Sequence, residues 1–338
     1  MILKYEIYFE TKGNDLRIYQ LVPERRSWRL HLPEGDEPAA RELMRVLARG
    51  IEDAALSEVL SKMPPSCGEI TDFLKSKKLF SAMDHTDFAK SPFLRQIEVF
   101  DSWNRGNGSP EAFQESLADA TVFVIGAGGV GSNLCDLLAS CGCGQICVVD
   151  FDIIELHNLA RQRLYTRADL GLLKSEVLAK RLSERGLSTL IPLVERLTPR
   201  NVQEVIAKCG HVDIATGWPF PRSPDTVAII EKILDLGIPY LCVGEHDCGP
   251  LLRSKNEIPE FRKWFSERFK LNDIWFHVRN LRGGDMRHPS YAPVIQIACA
   301  IAADEVVRVI NNYGPTRSSA GVYSIDPLTS EVRIFRKG

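Results

Sequence analysis

The sequence predicts an α/β protein: a mainly parallel sheet with helices on both faces, preceded by a smaller module. Three observations carry this reading. From Thr121 onward, short apolar runs alternate with segments of helical periodicity, the pattern of strands joined by crossover helices. A glycine-rich turn (Gly126, Gly128, Gly129 and Gly131) separates the first of those runs from the first of those helices. Ahead of it, residues 1–90 read as strands followed by helices, without alternation.

At 338 residues the chain is long enough for two domains and a sizeable core. Hydrophobic residues at 44% and charged residues at 25% are ordinary for a soluble globular protein. The formal net charge of −2 gives no reason to expect nucleic acid or an anionic membrane as partner. No apolar run reaches the ~18 residues that a spanning helix needs, and MILKYEIYFETKGND lacks a signal-peptide layout, so a cytoplasmic location is expected. Of nine cysteines, Cys135, Cys141, Cys143 and Cys147 crowd one helix–turn–strand segment, where reduced thiols pack as small apolar groups. No C-x-x-C pair occurs, and no metal ligation is expected.

Taken in order, residues 2–9, 15–22 and 28–32 read as strands, separated by turn signals at Gly13-Asn14 and Pro23-Glu24. Helical patterns follow at 37–48, 54–61 and 67–75. The last has Ile70, Phe73 and Leu74 at helical spacing and Ser66 as its expected cap. Three strands and then three helices describe a winged-helix-like module. An exposed strand beside a helix offers a groove into which an extended peptide adds as another strand. Residues 84–92 (DHTDFAKSP) read as the linker.

Strand 121–125 then meets the glycine turn. Glycines there let the backbone turn sharply and leave bare N–H groups facing a phosphate at the positive end of a helix. A second strand, 145–149, ends in Asp150, 19 residues after Gly131, where an acid for the ribose hydroxyls is expected. Strand, loop, helix and acid together make a Rossmann-like nucleotide site. The stretch DFDIIELHNLARQRLYTRADLGLLKSE adds Asp152, Asn158, Arg161, Gln162 and Lys174 in quick succession. Cations beside a phosphate cradle suit a triphosphate, whose charge must be neutralised while an acyl group attacks. Alternation continues through helix 174–185, strand 189–194, helix 200–208, strand 211–215, helix 226–236 and strand 240–243. PSYAPVIQIACAIAADEVVRVI reads as a buried helix, and 322–326 with 331–335 as a closing hairpin.

The glycine loop, D-F-D at 150–152, N-L-x-R-Q at 158–162 and G-x-x-K at 171–174 together resemble the ThiF-type adenylating family. Its members are relatives of ubiquitin-activating enzymes and of the thiamine and molybdopterin sulfur-carrier activators. The resemblance runs from about Ser91 to the C-terminus. It implies ATP and Mg2+ as cofactors. The binding residues it implies are Gly126, Gly128, Gly129, Gly131, Asp150, Asp152, Asn158, Arg161, Gln162 and Lys174, with Arg161 and Lys174 also acting in catalysis. It also implies a homodimer, in which Arg95 of F-L-R-Q reaches the partner's ATP phosphates.

The family places a magnesium aspartate just after the strand that matches 211–215. Here DIATGWPFPRSPD puts that position within 218–220; Asp213 reads as too early, inside the strand, and Asp225 as late. Either the metal is held otherwise, from Glu245, His246 or Asp247, or adenylation is lost or altered. Those three residues can also do acid–base work. GEHDCGPLL resembles the family's glycine–proline segment before a crossover loop, expected at about 250–290, and Cys248 reads as structural. Residues 252–288 hold nine Lys/Arg against five acids, a net of +4, with aromatics interleaved. That stretch reads as a lid over an acidic peptide, with Gly283-Gly284 as hinge.

The expected domains are a precursor-peptide recognition domain at 1–90 and a ThiF-type adenylating domain at 91–338. The first is similar in pattern to the leader-recognition domain on enzymes that modify ribosomally made peptides. Sulfur-carrier activators generally lack such an extension, whereas the peptide-modifying branch, which makes microcin C and pantocin A, carries one. The resemblance therefore implies ATP-dependent activation of a carboxylate, a Glu side chain, of a ribosomal precursor peptide, leading to cyclisation with loss of water in antibiotic biosynthesis. AMP transfer gives the carboxylate a good leaving group in place of oxide. A sulfur-carrier adenylyltransferase and a catalytically silent leader-peptide-binding partner remain as alternatives, and a nicotinamide dehydrogenase comes last.

Overall fold

The computed structural model describes residues 1–21, 25–83, 91–103, 109–218, 225–268, 290–319, 321–326, 329 and 331–336. The turn at 23–24, most of the linker at 84–92 and the hinge at 283–284 lie outside them. The chain divides into two compact units, Met1–Glu115 and Ser116–Gly338.

In the first unit, β1 (Ile7–Lys12), β2 (Asp15–Gln20) and β3 (Arg26–His31) form an antiparallel meander in that order. Gly13, at a left-handed φ of +58°, supplies the tight reversal between β1 and β2. Helices α1 (Glu37–Arg49), α2 (Asp53–Ser61) and α3 (Pro65–Ser76) follow. Leu16 and Ile18 of β2 pack with Leu43, Met44 and Leu47 of α1 and with Ile70 and Leu74 of α3. Each such side chain contributes about 1.5–3 kcal/mol by leaving water. The outer side of β3 pairs with no strand among the described residues. Helix α4 (Leu94–Trp103) ends the part ahead of α5 (Pro110–Asp119).

Two expectations are corrected here. The first strand begins at Ile7, not Ile2, because the Lys4 ammonium turns inward to the Asp101 carbonyl (2.7 Å) and Leu3 bonds instead to the Leu47 carbonyl (2.9 Å). Ser66 is not the cap of α3. Pro64 holds that position, and the Ser66 hydroxyl donates to Asp36 (2.7 Å).

The second unit is built on one eight-stranded sheet in the order β11-β10-β9-β8-β7-β4-β5-β6. Strands β4 (Thr121–Ile125), β5 (Gln145–Val149), β6 (Thr189–Leu193), β7 (Ile214–Gly217) and β8 (Tyr240–Val243) are mutually parallel. They are linked by α6 (Gly129–Ser140), α7 (Lys174–Ser183), α8 (Val202–Ala207) and α9 (Asp225–Asp235). Strands β9 (Asp247–Leu252), β10 (Gly321–Ile325) and β11 (Val332–Arg336) extend the sheet antiparallel. Helix α10 (Ile258–Arg268) lies between β9 and the long α11 (Ala292–Ile310).

Strand β4 is buried along its whole length. Its alternate side chains Phe123 and Ile125 face Val205 and Ile206 of α8 and Ile229, Ile230 and Ile233 of α9. The opposite face is closed by α6 with α11 packed on it, where the Cys299 thiol donates to the Val130 carbonyl (3.4 Å). Among the described residues no helix is long and apolar enough to cross a membrane.

Strand 211–215 is corrected to Ile214–Gly217, since pairing with Val122 sets where it starts. Asp213 therefore precedes the strand, and its carboxylate accepts the Thr121 N–H (2.8 Å). Strand β9 arises where a loop was expected, because pairing with β8 and β10 outweighs the breaking tendency of Gly249-Pro250.

Candidate functional site

The order β7-β4-β5 places a topological switch point beside β4, and loops at the carboxyl ends of the parallel strands meet there. Gly126 leaves β4 at φ +91°, with its N–H on the Val149 carbonyl (2.8 Å). Gly128 caps α6, so the N–H groups of the first helical turn point outward at the helix's positive end. At Gly131 a Cβ would stand 1.7 Å from the Gly126 carbonyl oxygen, so the turn admits only glycine. This is a cradle shaped for an anion.

Asp150 closes the next strand. Its carboxylate accepts N–H bonds from Ala127 (2.6 Å) and Asp152 (2.7 Å), which tie it to the glycine loop. Burial raises its pKa above the ordinary carboxylate range, and those two bonds work against the rise. Each oxygen keeps a lone pair for a ribose hydroxyl. Ser175 Oγ donates to the Asp150 carbonyl (3.0 Å).

Residues 151–174 fold back as a narrow ribbon, bridged at Ile153 and Leu173. The Lys174 N–H reaches the Asp152 carbonyl (2.9 Å), and its Nζ reaches Asp152 Oδ2 (3.1 Å). The Lys174 side chain is 9% exposed and that of Asp152 53%, so the ammonium is screened by protein while its partner can swing away. Asn158 is buried and caps its own turn by accepting the Glu155 N–H (3.0 Å). The Arg161 side chain passes beside Gly129, 3.5 Å from where a Cβ would be, and Gln162 lies 3.8 Å from the equivalent point on Gly128. Arg161 Nε and Gln162 Oε1 are buried with no hydrogen-bond partner among the described residues. Orphaned polar atoms beside an anion cradle fit a polar ligand that completes them.

Three positions were missed in the sequence. Tyr165 Oη bonds to both the Ala127 carbonyl (2.8 Å) and the Lys174 carbonyl (3.1 Å). Asn133 Nδ2 donates to the carbonyls of Gly129 (2.6 Å) and Arg161 (3.0 Å). Ser132 Oγ donates to the Gly128 carbonyl (2.6 Å). Ser132 and Asn133 sit in the first turn after the loop, which was a usable signal; Tyr165 had none.

Glu245 and His246 form the turn from β8 to β9 and Asp247 begins β9, at the same end of the sheet as the glycine loop. Glu245 accepts a bond from Ser290 Oγ, Ile325 N–H holds the His246 carbonyl (2.8 Å), and His246 Nδ1 is buried without a partner among the described residues. Trp218, just past β7, packs against the core, and positions 219–220 lie outside the described residues, as does most of 250–290. Asp213 stands at the opposite end of the strands and Asp225 begins α9. Cys248 is fully buried, and burial pushes its thiol well up, as a structural residue requires. Arg95 belongs to the first unit. Its side chain is 76% exposed, pairs with Glu98 (3.0 Å) and lies 5.5 Å from the Tyr5 ring centroid.

Known proteins resemble this chain. A family model described as the ThiF family matches residues 95–217. The molybdopterin-synthase adenylyltransferase of Salmonella typhimurium is 37% identical over 226 residues, 65% of this chain and 84% of that one. The chain belongs to the ThiF family. A second ThiF relative, the adenylyltransferase and sulfurtransferase MOCS3 of Arabidopsis thaliana, is 33% identical over 150 residues, 41% of this chain. There the match spans only 32% of the relative's length. Among solved structures, E. coli MccB with AMPCPP and MccA superposes with a TM-score of 0.74 at 19% identity, over 100% of this chain and 96% of that one. PaaA superposes at 0.71 and 19% identity, over 99% of both. These two likenesses define the fold of this ThiF family chain along its full length.

Proposed function

We propose that the protein uses ATP to activate a carboxylate of a ribosomally made precursor peptide, a Glu side chain, for cyclisation with loss of water. The observation that carries this is the reach of the fold likeness. It extends through the first unit to MccB, which has been solved with ATP and with MccA, and to PaaA. The sulfur-carrier activators match over less of the chain, 28% and 65% of it.

ATP supplies an adenylyl group, so that the carboxylate loses AMP rather than oxide when an internal nucleophile attacks. The chain's residues prepare that exchange. Glycine-loop N–H groups, Arg161 and Lys174 hold and neutralise the phosphates, and Asp150 holds the ribose. Lys174 must leave Asp152 to do so, which frees Asp152 for Mg2+. This metal binds through one or two carboxylates plus phosphates, and a half-exposed Asp152 fits that habit. Glu245, His246 and Asp247 stand in for the family's missing aspartate, orient the peptide carboxyl or move its proton.

Residues 1–90 serve as the recognition domain, taking the leader along the open side of β3, and 91–338 serve as the adenylating domain. Arg95 acts across a homodimer. The crossover stretch, net positive, receives the acidic peptide. Mass spectrometry of candidate precursor with enzyme, ATP and Mg2+ tests this: loss of water is expected. A stable AMP or phosphoramidate adduct would move the reading to the microcin type. A second reading, adenylation of a sulfur carrier's C-terminus, draws on the 37% identity to the Salmonella enzyme. An adenylated carrier with unmodified peptide would establish it. ATP–pyrophosphate exchange with neither substrate would leave a silent peptide-binding partner.

A further inference from the structure

The turn at 155–162 is held by a chain of hydrogen bonds in which each link fixes the next. The Glu155 N–H can only donate, so the Asn158 atom that receives it (3.0 Å) is the amide oxygen. The other end of that amide is therefore the NH2 group, which can only donate, and it lies 3.1 Å from His157 Nε2. Nε2 must then be the lone-pair nitrogen, and the ring proton sits on Nδ1, 3.0 Å from Glu155 Oε2. Among the described residues Glu155 is the charged side chain that meets this ring. Arg161 reaches the residue through its backbone, Nη1 donating to the His157 carbonyl (2.9 Å). The Asn158 carbonyl in turn accepts the N–H groups of Arg161 (3.1 Å) and Gln162 (2.9 Å). The ring is 36% exposed and open to protons from water, whereas Asn158 is buried.

From this geometry we infer that His157 is a positioning residue for the nucleotide. Its neutral ring holds the Asn158 amide, and with it the turn that carries Arg161 and Gln162, in the donor orientation that an anionic ligand requires. The inference rests on the ATP reading above. With one amide hydrogen on His157, Asn158 keeps a second to donate to a phosphate oxygen. A protonated ring would carry N–H on both nitrogens, so Nε2 would face the Asn158 NH2 donor to donor. Either the amide then turns over, giving up the Glu155 N–H bond and presenting an oxygen to the phosphates, or the ring swings into water and the amide loses its acceptor. Both outcomes loosen the site. ATP affinity should therefore fall as pH drops through the range where an imidazole ordinarily titrates, about 6.5.

Calorimetry of the full chain with ATP at about pH 8 and about pH 5.5, either side of that range, tests this. Thermal unfolding checks the fold of each variant. His157→Ala removes the acceptor and should weaken ATP roughly two- to tenfold at the higher pH. His157→Gln offers the Asn158 amide an oxygen that does not titrate, and should keep wild-type affinity there. On lowering the pH, the wild type should lose roughly two- to tenfold more affinity than His157→Gln, whose own loss reports protonation of ATP itself. Equal pH dependence in these two proteins would overturn the inference, as would wild-type affinity in His157→Ala at the higher pH. Absence of ATP binding by the wild type at the higher pH would instead overturn the ATP reading.

Discussion

Replacing the loop glycines one at a time by alanine separates close backbone approach from mere glycine richness. At Gly131 the new Cβ would meet Gly126 O at 1.7 Å and Gly126 C at 2.7 Å. A carbon approaches a carbonyl oxygen no closer than about 3.3 Å, so the loop must open by roughly 1.5 Å. That movement strains the Gly126–Val149 bond and the neighbouring Ala127–Asp150 bond. Overpacking costs about 1–3 kcal/mol and loss of one hydrogen bond to a carboxylate about 1.5–3 kcal/mol, a total of roughly 2.5–6 kcal/mol. At about 2–4 °C per kcal/mol for a unit of this size, Tm should fall by roughly 10 °C.

The other positions behave differently. At Gly128 the added carbon has only Gln162 Nε2 at 3.8 Å, and at Gly129 it meets Ile295 Cδ1 at 3.3 Å and Arg161 Nε at 3.5 Å. Gly129→Ala also gains about 0.5–1 kcal/mol of helix propensity, so both variants should melt within about 2 °C of wild type or above it. Gly129→Ala should nonetheless show less ATP-induced stabilisation, because the methyl crowds Arg161. Differential scanning fluorimetry with and without ATP reads all three. A Gly131→Ala protein that melts with wild type, or three equal losses, would refute the close-packing argument.

Lys174→Ala should lower ATP–pyrophosphate exchange by on the order of 2–5 kcal/mol of transition-state stabilisation, with little change in Tm because Asp152 is left half-exposed to water. Asp150, with its pKa raised by burial, ionises at higher pH folded than unfolded. The folded chain therefore binds the extra proton between the two pKa values, and the stability from this group falls as pH rises through that window. If ATP takes the ionised form, binding in the window should release a proton, measurable by calorimetry in buffers of different ionisation enthalpy and absent in Asp150→Asn. Arg95→Ala and Lys174→Ala should each be inactive alone. Co-refolded, they should recover up to about a quarter of wild-type activity, one competent site per mixed dimer, if Arg95 acts in trans.

Strands 121–125, 145–149 and 240–243 were legible in the sequence because each is buried on both faces and reads as an unbroken apolar run. The candidate binding residues could be put forward because they occupy one contiguous stretch, Gly126 to Lys174, whose spacing follows a strand–loop–helix unit. Strand β7 was misplaced because its start depends on Val122, some 90 residues earlier, and not on local pattern. Strand β9 hid behind Gly249-Pro250, whose local preference is outweighed by pairing on both sides. Tyr165 could not be read, since its hydroxyl meets carbonyls that carry no side-chain signature.

That same hydroxyl works like the pin of a caliper. One proton, shared between the Ala127 and Lys174 carbonyls, fixes the gap between two jaws, the glycine loop and the start of α7. The pin is buried and its pKa is driven above the usual phenol range, so ordinary changes of pH do not loosen it. The jaw width is thus set when the chain folds and before any ligand arrives. Little ordering of these two segments is left to be done when a ligand arrives.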